Sequence, residues 1–198
     1  FAVTYGEQLT VYRGLVHNYL GMDLDYSTKG KVGIGMIKYV DKILTSFSEE
    51  LGASAATPAA EHLFQVRNDS EAEVLSERKA QEFHHVTAQL LFLSARARRD
   101  IQVSVAFLTT RVKKPDVDDW GKLRRVLKYL KGTKYMKLIL SIDDMSKIMW
   151  WVDASDRTHD DCKGHTGAMM SLGGGAVISS SRKQKINTKS STESELVA

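Results

Sequence analysis

The chain has 198 residues, 42% of them hydrophobic, and 28 lysines and arginines against 24 acids give a net charge of +4. This composition is that of a soluble globular chain and fits one sizeable core or two small ones, while the mild positive charge permits a nucleic acid as a partner. The single cysteine, Cys162, excludes an internal disulfide. No apolar run approaches the roughly 20 residues of a membrane span. We therefore expect an intracellular, non-secreted protein without membrane contact.

The first third of the chain predicts a β-hairpin followed by a helix. Residues 15–24 and 31–36 are apolar runs that predict two strands, and the turn between them contains Gly30, which can take a positive φ. Residues 53–82 predict a loop of small residues and then a polar surface excursion. Between these segments, apolar residues at helical spacing predict an amphipathic helix that Gly52 would end. Its apolar positions are Met36, Val40, Ile43, Leu44 and Phe47.

The middle of the chain predicts three helices. The first starts near Glu82. Residues 100–112 are ambiguous, because their apolar positions alternate as in a strand and also fit helical spacing; we choose the helix. The clearest helix lies within residues 115–132, where acids crowd the front, basic residues crowd the back and Gly132 follows. Its apolar stripe consists of Trp120, Leu123, Leu127 and Leu130.

The pattern changes to strands from Lys137 onward. Short apolar runs separated by turn residues predict a meander, in which Gly173 to Gly175 form a tight connection. We expect a domain boundary near residues 132–146.

Asp153 is the first candidate for chemistry. It directly follows the apolar run "IMWWV", so its carboxylate lies at the exit of a predicted buried strand. An aspartate in "DASD" is commonly only a turn or cap residue. The alternative is a divalent-metal ligand, because Mg²⁺ prefers carboxylate oxygens and often uses one or two of them while substrate phosphates supply the rest.

Glu195 is the second candidate, near the start of the last predicted helix. The string "SSTESE" offers two capping boxes, Ser190 with Glu193 or Thr192 with Glu195. One glutamate is enough for the cap. If Ser190 and Glu193 form it, Glu195 stays free on a different helical face to point toward Asp153.

A zinc site is a weaker alternative. His159, Cys162 and His165 are spaced three apart, but a fourth ligand is missing. His84 and His85 are adjacent on a predicted helix and cannot share a face, so we interpret them as surface residues.

Basic residues form three clusters, which are either solvated faces or a track for a phosphate backbone. The clusters are interleaved with Tyr129, Tyr135 and Trp150. They comprise Arg96, Arg98 and Arg99, then Lys122, Arg124, Arg125, Lys128 and Lys131, then Arg182, Lys183 and Lys185.

An ordered set of strings resembles the Pol polyprotein of copia-type retrotransposons, from the end of its reverse transcriptase into its ribonuclease H domain. The strings include "HNYLGMDLD", "IKYVDKIL", "DDWGKLRRVLKYLKGT", "GHTGAMMSLGGGAVISSSRKQ" and "SSTESELVA". The resemblance covers nearly the whole chain apart from about residues 53–80. The chain departs from the family pattern at "ARARRDI" and at "EFHHVTAQ".

The resemblance implies an α+β fold in three parts: the end of a palm with its β-hairpin (1–35), helical thumb and connection regions (36–135), and the start of a ribonuclease H-like meander with the first turn of its first helix (136–198). Because the chain opens with Phe1 and closes in that turn, we expect a segment of a longer protein.

The resemblance also implies roles for individual residues. Asp153 and Glu195 match two of four ribonuclease H carboxylates, which would be both catalytic and metal ligands, in a site that takes two Mg²⁺ or Mn²⁺ ions when complete. The residues implied to contact nucleic acid are Leu20, Gly21 and Met22 beside Tyr19 in a primer-grip-like hairpin, Lys122, Arg125 and Lys128 on a basic helix face, and Ser191 and Thr192 at the ribose 2′-hydroxyl.

The expected partners are an RNA–DNA hybrid, a primer–template duplex and the remainder of the polyprotein. The polymerase aspartates and two ribonuclease H carboxylates are expected outside this segment, so we expect it to be inactive alone. The alternative function is a non-catalytic nucleic-acid-binding remnant.

Overall fold

The computed structural model describes residues 12–67 and 72–198, and it is a mixed α+β structure. The part of the expected palm end before Tyr12 lies outside the described residues. The strands are β1 (Val16–Tyr19), β2 (Met22–Asp25), β3 (Lys31–Gly35), β4 (Leu138–Ser141), β5 (Met149–Ser155), β6 (His165–Ser171) and β7 (Ile178–Lys183). The helices are α1 (Ile37–Ser46), α2 (Glu77–Ser94), α3 (Gln102–Arg111), α4 (Val117–Thr133) and α5 (Ser191–Val197), with a 3₁₀ turn at Arg99–Ile101.

The first sheet is antiparallel, in the order β1-β2-β3-β4. The expected single strand over residues 15–24 is wrong, because Leu20 and Gly21 take φ values of +50° and +78° and form a two-residue turn between β1 and β2. The expected hairpin around Gly30 is confirmed between β2 and β3, and Gly30 has φ of +76°. β4 pairs with β3 although about a hundred residues separate them in the chain.

Four helices build the core beside this sheet. The stripe predicted for α4 is confirmed, since Leu123, Leu127 and Leu130 are fully buried. The helical interpretation of residues 100–112 is also confirmed, and the side chains of Val105 and Leu108 have no exposed surface. Burying such side chains stabilises the fold by about 1.5–3 kcal/mol each.

Several predicted boundaries are wrong. α1 ends at Ser46 and not at Gly52, because the chain turns to an extended conformation at Phe47, whose ring then stacks on Trp120. α2 begins at Glu77, five residues earlier than expected. α4 continues through the position of Gly132 to Thr133.

The start of α4, where the sequence places its acids, is closed by a capping box. Asp116 accepts the backbone N–H of Asp119, and the Asp119 carboxylate accepts the N–H of Asp116 in return. Arg111 at the end of α3 donates to the same Asp119 carboxylate at 2.9 Å. The cap therefore also fixes α3 against α4.

The second sheet is an antiparallel meander in the order β5-β6-β7, and β5 is an edge strand. The prediction of one meander from Lys137 onward is confirmed for these three strands and wrong for β4, because β4 pairs with β3 in the first sheet. The three-glycine segment lies in the predicted connection between β6 and β7. This connection binds the end of β4, where the Ser141 N–H donates to the Gly174 carbonyl at 2.9 Å. On the other side, Gln102 of α3 donates to the Ser179 carbonyl of β7 at 3.1 Å. These contacts hold the second sheet against the first sheet on one side and against α3 on the other.

Candidate metal and nucleic-acid site

Asp153 lies on β5 opposite Gly167 of β6, and it is exposed. Within the described residues its carboxylate has no hydrogen-bond or ion-pair partner. Side chains alternate along a strand, so Asp153 shares a sheet face with Ser155 and not with Ala154. The exposed large residues around it, Trp150 and Trp151, are 59% and 47% exposed.

α5 carries Glu195 and begins with the cap that leaves this glutamate free. The Ser190 hydroxyl accepts the Glu193 N–H at 3.2 Å, and the Glu193 carboxylate accepts the Lys189 N–H at 2.7 Å. Of the two caps considered, the Ser190 and Glu193 pair therefore forms. Glu195 is exposed, and its carboxylate has no partner among residues 12–67 and 72–198.

The two elements that carry the acids contact each other. The Ser194 hydroxyl donates to Asp156, which directly follows β5, at 3.1 Å. Gln184 donates both to the Thr166 hydroxyl of β6 and to the Ser194 carbonyl, at 3.1 and 2.9 Å. α5 is therefore attached at the end of β5.

The relative placement of the two carboxylates follows from this attachment. Thr166 pairs with Ala154, so it lies on the sheet face opposite to that of Asp153. Asp153 and Glu195 can therefore share a metal only around the free edge or the end of β5. Their convergence on one point stays a prediction.

The donor chemistry of the two acids fits Mg²⁺, since each is a carboxylate without a partner in the described part of the chain and this ion commonly uses one or two such ligands. Among the described residues, no group of three or more histidine, cysteine, aspartate or glutamate side chains could hold a metal ion. Residues 153 and 195 thus form at most a partial site. Ser191 and Thr192 are exposed at the start of α5, beside the Ser190 cap.

The histidines of the zinc hypothesis form a hydrogen-bond chain. His159 Nε2 lies 3.0 Å from His165 Nδ1, and His165 Nε2 lies 2.7 Å from the Ser181 hydroxyl. The ring of Phe64 contacts both imidazoles, with centroids 5.2 and 5.3 Å away. Burial lowers the pKa of both histidines, that of His159 to about 4. Since no three-ligand group exists in the described part of the chain, the zinc interpretation is not supported.

The three basic residues named on α4 differ in whether their charged groups are free to contact a ligand. Lys122 is only 7% exposed; its ammonium donates to the Gln65 carbonyl and pairs with Asp118 at 2.9 Å. It therefore serves the fold and presents no free charge. Arg125 and Lys128 form no ion pair within the described residues, and Arg125 donates to the Thr57 hydroxyl at 2.9 Å.

Arg125 and Lys128 both line a cavity of 530 Å³ between α4 and the loop of small residues. Its wall also contains Lys122, Arg124 and His62. Because Lys122 pairs with Asp118 and Arg124 with Glu49, the charge that has no counter-ion within residues 12–67 and 72–198 comes from Arg125 and Lys128. An anionic ligand would meet these two cations first.

The hairpin expected to contact nucleic acid ends in an exposed tip. Leu20 is 67% exposed, and a Cβ added to Gly21 would meet no atom within 4 Å. Met22 begins β2 and packs against the core. The tip therefore has open space around its backbone on the side of Gly21.

Sequence reasoning missed the residues that attach α5. Asp156 and Ser194 are 38 positions apart, and neither belongs to a motif that predicts their contact. Ser194 lies between Glu193 and Glu195, at a helix position that is fully buried.

Comparison with known proteins gives two relatives that match 93% of this chain. The chain is 25% identical over 189 residues to a retrovirus-related Pol polyprotein from transposon TNT 1-94 of Nicotiana tabacum, and it spans 14% of that protein. It is 26% identical over 188 residues to a putative transposon Ty5-1 protein of Saccharomyces cerevisiae, and it spans 59% of that length. The chain belongs to the Pol polyproteins of copia-type retrotransposons.

The chain also has a relative that is not described as a Pol polyprotein. Over 110 residues, the chain is 30% identical to secreted RxLR effector protein 161 of Plasmopara viticola, a match that covers 55% of this chain and 78% of that protein. No protein-family model matches the chain, and no solved structure matches it significantly. Within the described residues, no helix of this Pol segment is long and apolar enough to cross a membrane.

The string "ARARRDI" of this Pol segment contains a buried arginine, and the departures from the family pattern lie on either side of it, at Ala97 and Arg99. Arg98 is 2% exposed and donates to the Asp100 carboxylate, to the Thr133 carbonyl at 3.0 Å and to the Thr133 hydroxyl at 2.6 Å. Its guanidinium also lies 5.5 Å from the centre of the Tyr129 ring. Arg98 thus connects the α2–α3 junction to the end of α4.

Proposed function

We propose that this Pol segment spans the end of the reverse transcriptase, its thumb and connection helices and the start of a ribonuclease H domain. In this assignment, the β1–β2 tip contacts the primer terminus and α4 faces the nucleic-acid backbone. The proposal is supported by the motifs of the sequence, by the relatives and by the mixed α+β structure with its antiparallel sheets.

In the complete enzyme, Asp153 and Glu195 would hold Mg²⁺ together with carboxylates from outside this segment. When bound, the metal would activate water and stabilise the leaving oxygen of the RNA strand. Ser191 and Thr192, exposed at the start of α5, would contact the ribose 2′-hydroxyl, which distinguishes RNA from DNA. Two acids alone leave the site incomplete, so this segment would cleave nothing by itself.

The contact between α5 and the end of β5 is the observation that supports this function best. It brings the helix that bears Glu195 to the end of the strand that bears Asp153, and among the described residues neither carboxylate has a competing partner. A glutamate and an aspartate that served only as cap and turn residues would be engaged by backbone N–H groups, as Glu193 is.

A Mg²⁺-dependent assay of RNA–DNA hybrid cleavage by the 198-residue chain tests the proposal. We expect hybrid binding without cleavage. Robust cleavage that Asp153→Asn abolishes would refute the claim that the segment is inactive alone. Joined in frame to a Pol sequence that supplies further carboxylates, the chain should cleave the hybrid, and Asp153→Asn should then lower the rate without changing hybrid affinity.

A second candidate function is nucleic-acid binding without catalysis, favoured by the free charges of Arg125 and Lys128 at the α4 cavity. Affinity that depends on phosphate contacts falls steeply with added salt. If no duplex or hybrid binds even at low salt, this function is refuted.

A further inference from the structure

Asp156 has no role in the function proposed above, yet it forms the contact that attaches α5 to the second sheet. We infer that Asp156 is a positioning residue, which seats α5 on the end of β5 and so sets where Glu195 lies relative to Asp153. The inference rests on the proposed function, because only a shared metal makes that placement matter.

One carboxylate oxygen of Asp156 receives two hydroxyl groups. The Ser194 hydroxyl donates to its Oδ1 at 3.1 Å, and the Thr188 hydroxyl oxygen lies 3.2 Å from the same oxygen. The two hydroxyl oxygens lie 2.5 Å from each other, and since each hydroxyl carries one proton, that of Thr188 is shared between Asp156 and Ser194. Hydrogen bonds to an ionised acceptor are stronger than those between neutral groups, so the carboxylate holds both hydroxyls in one arrangement.

Ser194 is the anchor of α5. It is fully buried, whereas every other residue of Ser191–Val197 is exposed. Leu196 is 83% exposed, so apolar burial contributes little to the seating of this helix. The specific contacts between α5 and the sheet are therefore polar, through Asp156 and through Gln184, which donates to the Ser194 carbonyl.

The segment before α5 is attached to the same point. Thr188, at 7% exposure, lies two residues before the Ser190 cap and shares the Asp156 oxygen. Asp156 therefore holds both the segment that precedes α5, through Thr188, and α5 itself, through Ser194.

Position matters here because Glu195 is adjacent to the anchor. It follows Ser194 directly, and Asp153 precedes Asp156 by three residues, which is about 10 Å of extended strand. A displacement of about 1 Å at a catalytic group can cost a large part of its contribution. Losing the anchor would free Glu195 while leaving Asp153 in its strand.

Mn²⁺ is the probe for this inference, because it broadens the NMR signals of nearby amides even when it binds weakly. In ¹⁵N-labelled 198-residue chain, Mn²⁺ should broaden Gly167, which lies opposite Asp153, and also Glu195. Asp156→Ala should keep the broadening at Gly167 and reduce that at Glu195 at least twofold. General destabilisation would not change the ratio between the two signals.

Controls separate the possible causes. Asp160→Ala removes a nearby carboxylate without a partner in the described part of the chain and should behave as the unmodified protein. Asp156→Asn keeps an oxygen that accepts hydroxyl groups, so it should restore the broadening at Glu195. If Asp156→Ala does not fold, Ser194→Ala removes the same contact with a small change in volume, and unchanged α4 signals confirm the fold.

Each remaining outcome has one meaning. If Asp156→Ala, or Ser194→Ala in its place, broadens Glu195 and Gly167 as the unmodified protein does, the positioning role is refuted and the proposed function stands. If Asp156→Asn reduces the Mn²⁺-induced broadening at both Gly167 and Glu195, Asp156 is itself a ligand and the positioning role is again refuted. If Mn²⁺ broadens neither signal, or if Asp153→Asn leaves both unchanged, the proposed function fails and the inference fails with it.

Discussion

Acidification should destabilise this protein through the buried imidazole of His159. His159 is 6% exposed, and burial, together with the neighbouring His165 and Lys183, lowers its pKa from 6.5 to about 4, while Asp161 acts in the opposite direction. The neutral imidazole is therefore the form that the folded state favours. As the pH falls below about 6.5, the unfolded chain takes up the proton first, so stability is lost.

The magnitude follows from the pKa difference. A difference of about 2.5 pKa units corresponds to about 3.4 kcal/mol when the pH is below both values, and about 2.5 kcal/mol of it is lost between about pH 7.5 and about pH 4.5. Burial also lowers the pKa of His165, which adds a loss in the same direction. The hydrogen bond between the two imidazoles explains why protonation of each histidine is unfavourable beside the other. If both imidazoles were protonated, their N–H groups would face each other.

Urea unfolding followed by tryptophan fluorescence at the two pH values measures this loss. Carboxylates also respond to acid, so the quantity of interest is the difference between the unmodified protein and His159→Gln. The variant should lose about 2.5 kcal/mol less over this interval. His85→Gln, on the exposed surface of α2, should retain the full pH dependence. If the unmodified protein and His159→Gln lose stability in parallel, the reasoning is refuted.

Three further predictions concern stability and binding. Arg98→Met should lower the free energy of unfolding by about 3 kcal/mol in urea, because it leaves buried partners of the guanidinium unpaired; a loss below about 1 kcal/mol would contradict this. Gly175→Ala should destabilise the protein by at least about 2 kcal/mol, since φ is +77° and the new Cβ would collide with the Ile139 carbonyl. Gly121→Ala, with open space in α4, should stabilise the protein by about 0.5–1 kcal/mol. A higher melting temperature for Gly175→Ala than for Gly121→Ala would refute this. Lys128→Ala should reduce the slope of log binding constant against log salt concentration, measured with the hybrid, by about 0.9 per lost phosphate contact. Lys122→Ala should lower stability and leave this slope unchanged. Equal slopes for Lys128→Ala and the unmodified protein would contradict the prediction.

The sequence predicted elements whose signals are local. α4 was predictable because its apolar stripe, acidic start and basic end lie within one segment, and the meander β5-β6-β7 was predictable because turn residues separate its strands. The turn between β1 and β2 was missed for a local reason as well. A bulky residue such as Leu20 rarely takes a positive φ, so Gly21 was the single local turn signal, and only the family resemblance placed a hairpin there.

The contacts that matter most for the candidate site are not local. Phe64 reaches the histidine pair across about a hundred residues, and it comes from a segment whose polarity predicted only an exposed excursion. Lys122 was expected to contact nucleic acid from a basic helix face, but its ammonium donates to the carbonyl of Gln65. Such pairings depend on how distant segments pack, and no pattern within either segment specifies them.

A crystal of the 198-residue chain grown with Mn²⁺, with the metal located by its anomalous scattering, tests the central claim most directly. The account predicts a metal peak at the end of β5 that is bound by carboxylate oxygens of both Asp153 and Glu195. A peak bound by only one of them, or carboxylates held on opposite faces of the sheet with no metal between them, would contradict it.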